Sequence, residues 1–199
     1  MTEPETVNLL DLIPGTDGQS LSLSQVKLGR DETALVPFTL DTVPMTIHYC
    51  EEQEVRSYVA CAGSGCVLCK IGRGRDERLL LPVYVPLEQR VSVVLLSKSM
   101  RPQALLPQIV AHMKPAEEAG KRVVLFIRRL ADNSSFTVNA RHLRPGDDDG
   151  ASLVKQFLAD VEARKVNLRS IVQHLTTEQL CAVGSIARML ELKEGGQAA

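Results

Sequence analysis

Residues His48 to Cys69 constrain this chain more than any other stretch. Four of the five cysteines fall within 20 residues, at 50, 61, 66 and 69, and a histidine opens the set. The spacing His-x12-Cys-x4-Cys-x2-Cys suits one tetrahedral Zn²⁺. A Cys-x2-Cys knuckle brings two thiolates to one ion from a tight turn, and two more ligands arrive from a neighbouring strand and loop. Gly63 and Gly65 give the knuckle a pliant backbone. The expected ligands are His48, Cys61, Cys66 and Cys69. A redox Cys-x2-Cys pair would need neither Cys61 nor His48, and it usually opens a helix in a βαβ setting. Alternation along Ile47–Cys50 puts His48 and Cys50 on the same face, so the spacing leaves either as the first ligand. Four protein ligands leave no open position for water, which favours a structural ion over a hydrolytic one.

At 199 residues the chain has room for one domain and an appendage. A hydrophobic content of 44% supports a core, while 4% aromatic residues and no Trp make any base-stacking surface sparse. The net charge of −1 hides an asymmetry. Cys66 to Arg144 carries 14 Lys/Arg against 6 Asp/Glu, a surplus of 8, and the remainder is acidic. A basic middle hints at a polyanionic partner. There is no signal-peptide pattern and no apolar run near the about 18 residues that span a bilayer, and the cysteines cluster as metal ligands do. These features predict a cytoplasmic protein with no membrane partner.

Residues 1–20 are acidic and then turn-rich, and are expected to form a flexible terminus bearing an apolar patch at Val7 to Ile13. Strand patterns follow at Leu21–Leu28, Thr33–Leu40, Met45–Cys50, Val55–Ala60, Leu79–Val85 and Val91–Ser97. Between the knuckle and Leu79 lies a basic, glycine-punctuated loop from Lys70 to Arg78. Leu106, Ile109, Val110 and Met113 predict a short helix, with another helical turn between Pro115 and Gly120. Arg122–Leu130 and Ser135–Leu143 read as a hairpin. Pro145-Gly146 and an acidic linker, 147–150, mark a boundary. Residues 151–199 then switch to helical period, with a capping box at Thr176-x-x-Gln179. The expected fold is mainly β with appended α: an OB-type small antiparallel barrel over 21–146 with an inserted zinc knuckle, followed by a short C-terminal helical segment.

An OB-type barrel commonly holds single-stranded nucleic acid in a groove lined by cations and a few flat side chains. The expected contacts are Lys70, Arg73, Arg75, Arg78, Arg122, Arg128, Arg129 and Arg141 to phosphate. Phe126 stands outside the barrel between arginines as a stacking platform, and Tyr84, Phe136 and Tyr58 are further candidates.

Ile47-His48, Tyr58-Val59-x-Cys61 and Cys66-x-x-Cys69 with Ile71 two residues on resemble the zinc-binding core of the T-even phage-type single-stranded DNA-binding proteins. Val91–Ser97 with Lys98 is similar to that family's apolar strand ending in lysine, Ile109–Met113 to its short helix, and Val124–Arg129 with 131–136 to its basic hairpin. The resemblance covers about residues 35–145 and implies an OB-fold core, one structural Zn²⁺ and a single-stranded DNA partner in replication, recombination or mobile-element processing. It stops short of the family's basic N-terminal arm, its long acidic tail and several of its tyrosines, and the Cys61–Cys66 loop is shorter.

Two alternatives compete with this expectation. The same barrel could serve as a protein-interaction adaptor, working through the C-terminal helices and the apolar N-terminus. Catalysis is the weaker one: the four histidines are scattered and no Gly-x-Ser-x-Gly or phosphate loop is present. The sequence leaves RNA versus DNA and the oligomeric state open.

Overall fold

The computed structural model describes residues 24–40, 42–132, 134–163, 166 and 168–195. The expected flexible arm at 1–20 lies outside the described residues. Among the described residues seven strands carry most of the regular structure: β1 Thr33–Pro37, β2 Val43–Cys50, β3 Ser57–Ala60, β4 Asp76–Val85, β5 Arg90–Ser97, β6 Val123–Arg129 and β7 Phe136–His142. Five helices accompany them: α1 Val67–Lys70, α2 Leu105–Glu118, α3 Ala151–Glu162, α4 Thr177–Cys181 and α5 Gly184–Gly195. The protein is thus mainly antiparallel sheet with a few helices.

The chain divides into two compact units, though not where composition alone suggests. The first comprises the chain up to Val43 together with Leu79–Ile171; the second comprises Pro44–Arg78 and Val172 onward. The segment 151–199 is therefore shared between them, α3 in the first and α4 and α5 in the second.

In the first unit the strands run β5-β4-β1-β6-β7. Three successive strands lie side by side and the next returns beside the first of them, which is the Greek-key order. Alternation sends Val123, Leu125 and Ile127 of β6 into a core with Leu81, Val83, Val94 and Leu96. Both faces of β4 are covered, because Tyr84 and Val36 on the other face pack against Val124 and Val154 of α3. A strand covered on both sides reads as a continuous apolar run, as Leu79–Val85 does. Phe157 of α3 meets Phe38 edge-on at 6.0 Å.

Helix α2 lays Leu105, Ile109, Met113 and Ala116 on the same core. Sequence reasoning splits this helix at Pro115, but the structure runs through it. Pro115 removes one bond, to the carbonyl of Ala111, and Ala111 is exposed, so water can take that acceptor. The helix stops at Gly120 (φ 62°), where Gly120 N–H donates to Glu117 O and Lys121 N–H to Ala116 O, a Schellman ending. Its side chains also satisfy one edge of β7. Gln108 Nε2 donates to Phe136 O at 2.8 Å and Gln108 Oε1 accepts from Val138 N–H at 3.1 Å, while His112 Nε2 donates to Val138 O at 3.0 Å.

The second unit is built on the β2–β3 hairpin, paired from Ile47↔Ala60 to Cys50↔Ser57. The knuckle and α1 follow. The main chain of Ala60 also donates to Gln173 O at 2.8 Å, which brings the C-terminal segment alongside β3. The expected capping box forms, with Thr176 and Gln179 bonded reciprocally. Leu180 of α4, Val183 in the break between the helices and Ile186 of α5 then join Val59, Val67, Leu68 and Ile71 in one small core.

Candidate metal centre and aromatic surface

The ligand atoms of His48, Cys61, Cys66 and Cys69 all lie within 4.8 Å of one another. Cys61 Sγ and Cys69 Sγ are 3.6 Å apart, and His48 Nε2 is 3.5 Å from Cys66 Sγ and 3.4 Å from Cys69 Sγ. Four soft or borderline donors packed this closely can hold a metal ion. Local structure explains the convergence. Gly63 takes φ 77° and Cys66 N–H closes back on Gly63 O, so the chain reverses before α1 starts. Cys66 caps α1 and Cys69 lies one turn on, which points both thiols to one side.

The histidine's orientation is set from behind. Its Nδ1 donates to Gly74 O at 2.9 Å, because a carbonyl can only accept, and this leaves the Nε2 lone pair facing the three sulfurs. The ring is fully buried. Arg75 Nε donates to Cys69 Sγ at 3.1 Å, a contact suited to a thiolate.

The ambiguity between His48 and Cys50 resolves through Glu52. Cys50 Sγ donates to Glu52 Oε2 at 2.7 Å, away from the cluster. Burial pushes the Cys50 thiol up to about 11, and the bond to Glu52 adds to the rise, so it stays protonated at neutral pH. Burial alone would raise the Glu52 carboxyl as well. The Cys50 thiol and the Arg73 guanidinium, which forms a short ion pair with it, hold it below the usual range instead. Arg73 thereby anchors the loop after the knuckle. Sequence reasoning missed this strut, since nothing in the spacing of Glu52 and Arg73 announces a contact.

The expected nucleic-acid contacts separate into three groups. Lys70 and Arg128 are exposed and carry no ion pair among the described residues. Arg73, Arg78, Arg122 and Arg141 pair with Glu52, Asp76, Asp149 and Asp147 respectively, and Arg75 sits on the Cys69 sulfur. Arg129 is partly buried over the Phe136 ring at 5.4 Å, its Nε enclosed and unpartnered.

Two of the flat side chains need correcting. Tyr84 is 1% exposed and its hydroxyl donates to Asp148, so it offers no face to a base. Phe126 is half-buried beside Val124 and Val154, with the Arg141 guanidinium 6.0 Å from its ring centre, because α3 covers this face of β6. The linker 147–150 is likewise bonded to the first unit at each aspartate.

An aromatic surface does exist, on the metal-bearing hairpin. Tyr49 is 47% exposed and meets Tyr58 edge-to-face at 5.3 Å, and the Arg78 guanidinium stands 5.7 Å from the Tyr58 ring centre. Tyr49 was legible by period two: if His48 and Cys50 face inward, Tyr49 faces out. No protein-family model, curated protein or solved structure matches this chain in comparison. No helix among the described residues is long and apolar enough to cross a membrane.

Proposed function

We propose that the protein is a non-catalytic single-stranded DNA-binding protein whose second unit is stapled by one structural zinc ion. The observation that carries the proposal is the pairing of exposed Tyr49 with half-buried Tyr58, with Arg78 beside it. Paired rings with an adjacent cation are what sequence-tolerant base stacking requires, and each stacked base contributes about 1–3 kcal/mol.

Zinc is supported by the donor set and by size. Zn–S near 2.3 Å and Zn–N near 2.0–2.1 Å give tetrahedral edges of about 3.8 Å between sulfurs and about 3.6 Å from sulfur to nitrogen. The edges of 3.6, 3.5 and 3.4 Å lie close to these values. A three-cysteine, one-histidine set fills the coordination sphere, so the ion would supply folding energy and not an activated water. An OB-type barrel for the first unit is supported by its Greek-key strand order with a helix between β5 and β6. The adaptor alternative has less support, because Leu180, Ile186, Met189 and Leu190 of α4 and α5 pack on the small core and Leu192 is the large apolar side chain these helices leave exposed among the described residues.

Fluorescence anisotropy with labelled oligo-dT, beside duplex DNA and RNA, tests the function. Tyr49→Ala with Tyr58→Ala should weaken single-strand binding by about 1–3 kcal/mol per stacked base while leaving the salt dependence nearly unchanged. Wild-type protein that fails to bind oligo-dT at low salt would refute the proposal.

A further inference from the structure

The Schellman turn that ends α2 delivers Lys121 and Arg122 to the start of β6, opposite the end of β7. Leu143 N–H donates to Arg122 O at 3.0 Å and fixes the two chains there. Between them opens a cleft of about 510 Å³ whose lining includes Lys121, Arg122, His142, Arg144 and Asp149. Three permanent cations face one carboxylate. Arg122 is forked onto Asp149, one guanidinium nitrogen on the carboxylate and the other on the main-chain carbonyl at 3.2 Å. The side chains of Lys121 and Arg144 are exposed and carry no ion pair among the described residues. An internal anion already occupies the guanidinium; Asp147, bonded to Arg141 and to the Arg144 main chain, tempers the charge of Arg144, and Lys121 adds a further cation to the lining.

We propose that this cleft is a phosphate subsite, holding one phosphate of the single strand with Lys121, Arg122 and Arg144, and that Asp149 is the resident anion which the phosphate displaces. The inference rests on the single-strand reading above and adds a site and its regulation. A guanidinium fork matches a phosphate as it matches a carboxylate, and two further cations suit the higher charge density of phosphate oxygens. Asp149 is held in place independently of Arg122, since its other oxygen accepts from Ala151 N–H at 2.9 Å at the start of α3.

The test uses two variants that should move in opposite directions. Asp149→Asn keeps the size and the acceptor for Ala151 while removing the charge, and should raise oligo-dT affinity severalfold. Lys121→Gln with Arg144→Gln should lower it, and the slope of log K against log salt should become shallower by about 1 for each phosphate that is no longer neutralised. A 5′-phosphorylated oligonucleotide compared with its 5′-hydroxyl counterpart separates a strand end from an internal phosphodiester, a larger cleft effect on the former marking the end. A gain of affinity cannot come from damaged folding, so the Asp149 arm stands even if the double variant is unstable. Wild-type binding that is unaltered in both variants overturns the cleft and leaves the single-strand function standing. No binding by any of the three proteins overturns both.

Discussion

The two units are held together by different means. Among the described residues the first buries 14 in its main core, from five strands and a helix. The second buries nine in its own, and two of these are cysteines, one of them a ligand. A core that small leaves little surplus over chain entropy, and small units of this kind usually depend on a metal or a disulfide. None of the five cysteines is in a disulfide, so a metal held by the ligand cluster would be the restraint of covalent strength open to this unit. Under the proposed function, a metal would matter to binding without lying at the binding surface, by keeping the hairpin that carries Tyr49 and Tyr58.

Metal removal should produce the largest separation between the units. Chelation, or Cys66→Ser with Cys69→Ser, should cost the second unit several kcal/mol, given structural zinc contributions of about 10–16 kcal/mol in small domains. Hydrogen exchange should then accelerate at Val59 and Leu68 while Leu125 and Ile127 stay protected. His48→Ala should lose the metal and Cys50→Ala should keep it. Equal loss of protection in both units would erase the contrast between them.

A converse lesion comes next in size. A Cβ at Gly150 would sit 2.5 Å from the Tyr84 ring, and the backbone there has φ 61°. Gly150→Ala should therefore destabilise the first unit by at least about 1–3 kcal/mol in denaturant titrations, with zinc content unchanged.

The smallest effect separates the units by pH. Burial, and then the bond to Asp148, push the Tyr84 hydroxyl up to about 12. The folded chain keeps this proton where the unfolded chain, titrating near 10, releases it. The contribution is therefore complete below about pH 10 and is lost as pH rises towards 12. Tyr84→Phe should flatten that alkaline decline in the melting temperature of the first unit, and an unchanged decline would remove Tyr84 from the account.

The four clustered ligands were legible because a metal site concentrates its signal in spacing, and the β6–β7 hairpin because its alternation is regular. Choosing His48 over Cys50 was not possible from a period of two, since both face inward and only Glu52 separates them. The stripe of Leu180, Val183 and Ile186 announced a buried helix face without naming its partner, which lies more than 100 residues earlier in the chain. Tyr84 and Phe126 were misplaced for the same cause: alternation tells which face a ring takes, and not that α3 returns to cover that face.

The side chains that close the edge of β7 also guard against self-assembly. An open strand edge invites another chain to extend the sheet, the first step of domain exchange and of fibre growth. At Phe136 and Val138 that invitation is withdrawn by the protein itself, with the Gln108 amide imitating a peptide group and His112 taking the next carbonyl. If the proposed single-strand function holds, many copies would gather on one polymer at high local concentration, where edge-to-edge sticking is most costly. Two residues of one helix thus bear on colloidal behaviour, and their replacement should show first as aggregation in concentrated samples.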